Sequence, residues 1–360
     1  MSVPLFATSL DPYQAAIGER LAEVARSGRY ILGPEVEGFE REFAAYLGVE
    51  HCIGVANGTD ALTIALRALG VRPADEVVLP SFTFYATAEA VVNAGARPVF
   101  CDVDPETFCV TRATVESALS ERTKAIVPVH LFGNLAPIDD LRGLGPPVLE
   151  DAAQAAGATV AGRHAGALGD AATFSFFPSK NLPCLGDGGA ITTDDPDVAE
   201  RARRLRFHGS ADKQTFVDVG YNSRLDALQA AVLRLLLPEL DGWNAAREAA
   251  AAAYERNGLG RLVSVPRPST DARHVYHLYV VRHERAGELA AALERAGVEA
   301  RGYYRRPVHL QPAMAPFRSS PSLAALPGTD EAARTHLALP MGPDLSEAQV
   351  ERVVEACAQA

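Results

Sequence analysis

The stretch CIGVANGTDALTIALRALG, Cys52 to Gly70, reads as a short apolar strand, a polar turn and an amphipathic helix. The same unit recurs down the chain: EVVLPSFTF before ATAEAVVNAG, RPVFCDVD before RATVESALSE, KAIVPVHLFG before PIDDLRGLG, with PPVLEDAAQ following. Near-continuous apolar runs separated by helices predict a mostly parallel sheet covered on both faces. Two more strands, ATFSFF and GGAITTDD, precede helices in RLDALQAAVLRLLLPEL and NAAREAAAAAYERNG. Beyond these, HVYHLYVVRH and VEARGYYR read as strands around the helix AGELAAALERAG. The expected architecture is therefore α/β, with an N-terminal segment and large domain over 1–244 and a smaller α+β domain over 245–360.

Composition narrows the function. The chain has 360 residues, 48% of them hydrophobic and 22% charged, the proportions of a globular protein. A formal charge of −11 argues against nonspecific nucleic-acid binding, which needs a basic surface. No run approaches the roughly 20 apolar residues of a membrane span, and the N-terminus lacks the pattern of an export signal. Five cysteines without paired spacing suggest reduced, buried thiols, so a cytoplasmic protein is expected. Of two basic islands, RARRLRFHG (201–209) reads as a solvated helix face, while RGYYRRPVH (301–309) mixes arginine with aromatic residues.

In open α/β sheets ligands gather at the carboxyl ends of the strands, so the residues after each apolar run carry the chemistry. Asn57-Gly58-Thr59-Asp60 opens a helix where free amides and the helix dipole favour a phosphate, or where Thr59 merely caps the helix. Asp151 ends a strand after Glu150, with Gln154 one turn on. Asp151 is either a helix cap or a partner for a ring nitrogen. Lys180 follows ATFSFF and precedes GDGGA, whose glycines permit a tight turn beside a ligand. A phosphate cradle, a strand-end carboxylate and a lysine are together the parts of a pyridoxal phosphate site.

The chain resembles, over nearly its whole length, the DegT/DnrJ/StrS family of sugar-nucleotide aminotransferases of fold type I. The matching stretches are GRYILGPEVEGFE (28–40), NGTDALTIAL (57–66), LPSFTFYATAEAV (79–91), LEDAAQA (149–155), FSFFPSKNL (174–182), GDGGA (186–190), GYNSRLDALQAA (220–231) and YYRRPVHLQPAM (303–314). The resemblance implies pyridoxal 5′-phosphate as cofactor, with pyridoxamine 5′-phosphate as its intermediate form. Lys180 would carry the cofactor and move the proton, Asp151 would pair with the pyridine nitrogen and Gln154 with the ring hydroxyl. Phe84 would cover the ring. Gly58, Thr59 and Ser175 would hold the phosphate, completed by Asn222 from a neighbouring subunit of a homodimer. For the sugar nucleotide it implies Gly28, Tyr30, Ser179, Tyr303 and Tyr304, with Arg224 from the partner chain. His309 is either a substrate contact or a loop residue.

The implied reaction moves an amino group from L-glutamate to a keto sugar nucleotide, without a metal. The pairing of KNL with GDGG resembles the branch acting at sugar C3, on a deoxyhexose or a 2-acetamido uronic acid; a C4-acting enzyme is the nearest alternative. Pro183-Cys184 departs from the pattern of many relatives, a difference that bears on the substrate mouth. A sugar dehydratase of this kind would have histidine in place of Lys180, and a regulatory homologue without turnover would not need the intact set. A nicotinamide enzyme lacks its GxGxxG, and a zinc site from HVYH fails on geometry, because His274 and His277 on the predicted strand would point to opposite faces.

Overall fold

A computed structural model of the chain describes residues 2–269, 271–318 and 325–360. The first strands and helices follow the expected alternation: α1 (Gln14–Ser27), α2 (Pro34–Leu47), β1 (His51–Val55), α3 (Gly58–Ala68), β2 (Glu76–Pro80), α4 (Tyr85–Asn93), β3 (Arg97–Cys101), α5 (Arg112–Glu116), β4 (Thr123–Ile126), α6 (Ile138–Arg142) and β5 (Leu149–Asp151). A small hairpin, β6 (Thr159–Val160) and β7 (Arg163–His164), leads to β8 (Ala171–Ser175), β9 (Gly189–Thr193), α7 (Pro196–Leu205), α8 (Ala227–Leu236) and α9 (Leu240–Arg256). The chain closes with β10 (Tyr279–Arg282), α10 (Ala286–Arg295), α11 (Pro327–Thr335), β11 (His336–Leu339) and α12 (Glu347–Cys357).

Strands β3, β2 and β4 pair in parallel, as do β5 and β8. Parallel bridges Ile126–Val148 and Val129–Asp151 join the two groups. Strand β9 runs antiparallel to both β8 and β1. The result is a mixed sheet in the order β3-β2-β4-β5-β8-β9-β1, in which all strands but β9 point the same way. The ends of β1, β2, β5 and β8 therefore open at one edge, which is where a ligand belongs.

Helix α3 shows why the local sequence folds as it does. Asn57 Oδ1 accepts from Asp60 N at 2.8 Å and caps the helix. Its apolar residues, among them Ala61, Leu62, Ile64 and Leu66, are buried against Val77, Leu79 and Ile191 of the sheet in one core cluster. Thr59 is thus not the cap: it sits in the first turn, where backbone N–H groups have no partner within the helix.

The C-terminal part differs from the sequence reading. Of HVYHLYVVRH only Tyr279–Arg282 is strand, and it pairs with β11, which the sequence reading missed. VEARGYYR forms only single bridges, Val298 to Val3 and Arg301 to Ala338, and Tyr304 turns out of the run with φ of 61°. Residues 3–7 lie against this part: Val3 N donates to Gly297 O and Ala7 N to Met341 O. Helix α9 bridges both parts, with Ala250, Ala253 and Tyr254 in the C-terminal core and Asn244 tied to residues of the large sheet region. All five cysteines are free and buried, and among the described residues no helix is long and apolar enough to cross a membrane.

Candidate active site

The opening turn of α3 depends on close approach. A Cβ on Gly58 would lie 2.8 Å from Ser175 Cβ, and one on Gly189 would lie 2.5 Å from the Asn57 carbonyl. Gly58 thus lets α3 approach Ser175 at the end of β8, and Gly189 lets β9 approach the Asn57 carbonyl. None of Gly186, Gly188 and Gly189 has a positive φ, so the GDGG stretch provides room beside the cradle and not the tight turn its composition suggests.

Glu150 and Asp151 are neighbours on β5 and face opposite ways. Glu150 is buried and saturated: it accepts from Gly166 N, Leu168 N, Gly169 N and His130 Nε2 at 2.7 to 2.9 Å. That leaves Asp151 for chemistry. Asp151 caps no helix; its Oδ1 accepts from Ala153 N at 3.3 Å and its Oδ2 from Thr87 Oγ1 at 2.9 Å. Burial pushes the Asp151 carboxyl above the usual range, opposed by the Thr87 and Ala153 bonds and by the charge of Lys180. Gln154 Oε1 is spent on Phe132 N at 2.7 Å, so its Nε2 turns outward and reaches Tyr304 OH at 3.2 Å.

Only three lysines occur in the chain, Lys124, Lys180 and Lys213, and the first and last are exposed. Lys180 sits in the loop after β8, its N–H bonded to Phe177 O. Burial lowers its ammonium from the ordinary lysine range to about 8, with Asp151 working the other way. The next residue, Asn181, is buried and donates to Asn244 Oδ1 and Val275 O. Cys184 is buried in the core and its N–H bonds Phe176 O, so the Pro183-Cys184 departure closes the loop inward and does not line the cavity.

These side chains meet in a cavity of about 1010 Å³. Its walls include Gly58, Thr59, Phe84, Asp151, Gln154, Ser175, Ser179, Lys180, Tyr303 and Tyr304, with Arg301, Arg305 and Arg306 on one side. Phe84, 58% exposed, presents its ring there, 6.4 Å from that of Tyr304. Thr87, Glu89, Asp187 and His277 also line it and were not singled out from sequence as parts of this site. Thr87 carried a readable signal: it stands one helical turn after Thr83, on the face that follows β2.

Five expected residues lie outside the cavity of their own chain. His309 Nδ1 is bonded to Ser81 Oγ, which turns the ring away while Val308 and Gln311 take the wall. Gly28, Tyr30, Asn222 and Arg224 gather elsewhere: Tyr30 O accepts from Ala227 N, Ile31 bridges Asp226, and Arg224 bonds Asn222. Exposed apolar side chains stand in the same stretches, Ile31 at 52% and Val219 at 85%. The basic island 201–209 is not simply a solvated face, since Arg206 is buried against Glu40 and Gly54 O. His274 and His277 precede strand β10 and are both buried, so the premise that they alternate on a strand does not hold; among the described residues no group of three or more His, Cys, Asp or Glu side chains is placed to hold a metal.

The model of the DegT/DnrJ/EryC1/StrS aminotransferase family matches residues 13–358. The dTDP-3-amino-3,4,6-trideoxy-alpha-D-glucose transaminase of Streptomyces venezuelae is 47% identical over 93% of this chain and 89% of its own length. A protein of Geobacillus stearothermophilus named a pleiotropic regulatory protein is 45% identical over 100% of this chain and 98% of its own. The crystal structure of S. venezuelae DesV superposes with a TM-score of 0.95 at 44% identity, covering 99% of this chain and 98% of that one.

Proposed function

Because the chain belongs to the DegT/DnrJ/EryC1/StrS aminotransferase family, we propose that its cavity takes pyridoxal 5′-phosphate and that the protein moves an amino group from L-glutamate to C3 of a nucleotide-linked keto sugar. The observation that carries this reading is the convergence of Lys180, Asp151 and the opening turn of α3 on one cavity. The cofactor needs an amine to bind it, a buried carboxylate for its ring nitrogen and donors for its phosphate. Those groups are present, and the Gly58–Ser175 contact leaves no room for a side chain in the cradle. When bound, the cofactor supplies an electron sink for bonds at the amino-bearing carbon.

The chain's own residues have separable tasks. Lys180, with its ammonium lowered to about 8, has a usable fraction of free amine near neutral pH, both to bind the cofactor and to take and return a proton at Nζ. Asp151 would pair with the ring nitrogen, whose positive charge would favour the ionised carboxylate against the upward push of burial. Gln154 would offer Nε2 to the ring oxygen, Phe84 would cover one face of the ring, and Ser175, Thr59 and the first amides of α3 would hold the phosphate. Arg301, Arg305 and Arg306 create a local positive field on a chain of formal charge −11, which suits a diphosphate. Ser179, Tyr303 and Tyr304 line the approach used by the sugar.

The second group of residues is placed for a neighbour. In a homodimer, Asn222 would complete the cradle of the partner's cavity, Arg224 would clasp a carboxylate there, and Gly28 and Tyr30 would meet the nucleotide. The exposed apolar side chains of Ile31 and Val219 support such burial. Residues 1–244 then hold the cofactor and 245–360 cover it, in a cytoplasmic enzyme whose thiols stay reduced.

The KNL and GDGG stretches and the 3-amino sugar in the name of the Streptomyces venezuelae relative favour C3 over C4. The name of the Geobacillus stearothermophilus relative raises a regulatory role; the complete set of Lys180, Asp151, Gln154 and Ser175 favours turnover instead. Incubation with L-glutamate and matched 3-keto and 4-keto sugar nucleotides, followed by NMR of the products, tests the reading. An amine at C3 is expected. An amine at C4 with no turnover of the 3-keto sugars would overturn the C3 assignment, and no transfer to either would overturn the enzyme reading.

A further inference from the structure

The orientation of three buried amide and imidazole groups beside Lys180 is fixed by a backbone carbonyl. Asn244 Nδ2 donates to Ala156 O at 3.0 Å, so Asn244 presents its Oδ1 to Asn181. Asn181 Nδ2 donates to that oxygen at 2.8 Å and to Val275 O at 2.9 Å. Both of its donor directions are thereby used, and its Oδ1 is left 3.2 Å from His277 Nδ1. An amide oxygen requires a donor, so His277 carries a hydrogen on Nδ1. Burial first, and then the charges of Lys180 and Arg247 that face the ring, hold His277 well below its ordinary range, so it is neutral and has only that one ring hydrogen. Nε2 is consequently a bare acceptor. His277 and Lys180 line the same cavity.

We propose that His277 is a positioning residue for Lys180: through Asn181 it anchors the backbone next to the lysine, and its unprotonated Nε2 accepts a hydrogen bond from Nζ when the lysine is an ammonium. This role rests on Lys180 being the working amine of the proposed function, but its physical content belongs to the protein without cofactor. Histidine is required because it combines a donor at the depth of Nδ1 with an acceptor one atom further out. Asparagine reproduces the first and glutamine the second. Loss of the acceptor removes a stabilising bond to the ammonium, which makes Lys180 easier to deprotonate.

The test is competitive acetylation of the cofactor-free protein with acetic anhydride across pH 5 to 10, read by mass spectrometry at Lys180, with the exposed Lys124 and Lys213 as internal references. His277→Asn should lower the Lys180 midpoint by about one pH unit, and so raise its labelling at pH 6 about tenfold, the size of one bond to a charged group. His277→Gln should leave the midpoint within about threefold of wild type. Equal midpoints in the two variants, shifted or not, would overturn the proposal. The readout uses neither cofactor nor sugar, so its failure is distinct from failure of the aminotransfer assay.

Discussion

Replacing Thr87 with valine isolates the force that most opposes the upward push of burial on the Asp151 carboxyl. Thr87 is buried on α4, and its Oγ1 lies 2.9 Å from Asp151 Oδ2; the other donor, Ala153 N, is more distant at 3.3 Å. Burial already raises the Asp151 carboxyl, and the Thr87 bond is the largest influence opposing that rise. Valine keeps the shape and removes the donor. A hydrogen bond to an ionised group contributes about 1.5–3 kcal/mol, equivalent to roughly one to two pH units. The acid limb of any property that needs ionised Asp151 should therefore move upward by that amount. A carboxyl whose folded value is raised binds more protons folded than unfolded, so its stability contribution falls as pH rises. The variant's added loss should then be full at neutral pH and shrink toward pH 4. Thr83 Oγ1, 3.1 Å from Thr87 Oγ1, also loses a partner, which adds a cost independent of pH. Cofactor absorbance against pH, with urea unfolding at pH 7 and pH 5, measures both parts. An unmoved acid limb together with a stability loss equal at the two pH values would refute the reasoning.

Gly58→Ala should weaken cofactor affinity by tenfold or more in absorbance titrations, because its Cβ would fall 2.8 Å from Ser175 Cβ; wild-type affinity would show that the cradle yields. Glu150→Gln should lower unfolding free energy by about 1–3 kcal/mol for each buried donor left without an acceptor, since an amide NH₂ cannot accept from the donors that Glu150 satisfies; a loss below about 1 kcal/mol in urea would contradict this. Mixing inactive Lys180→Ala and inactive Arg224→Ala chains should restore part of the activity, because one shared site of each mixed dimer is intact. Continued inactivity after verified subunit exchange would remove the cross-subunit role of Arg224.

The parts of the site that were legible in the sequence are those set by local pattern. Strand ends announced themselves where an apolar run met a polar residue, which located Asp151 and the opening of α3, while Ser175 came only from the family resemblance. Chemistry then picked out Lys180, because a lysine after a later strand completes a set with the phosphate cradle and the strand-end aspartate. Functions set by long-range contacts were not legible. Whether Asn57 or Thr59 capped α3 depended on backbone geometry. The need for glycine at 58 and 189 comes from Ser175 and Asn57 across a sheet, not from a turn. His277 was weighed only as part of HVYH on a supposed strand, because its partner Asn181 is distant in sequence and joins it only through the fold. Strand β11 follows α11 with no intervening turn residue, so HLAL carried no boundary of its own, and its pairing with β10 supplies what the local pattern lacks.

The most direct measurement is to reduce the holo-protein with borohydride, digest it with trypsin and locate the pyridoxyl group by mass spectrometry. Labelling of Lys180 blocks cleavage there and should produce a single modified peptide spanning 164–201, absent from Lys180→Ala. Label on Lys124 or Lys213, or none on any lysine, would contradict the assignment of this cavity as the cofactor site.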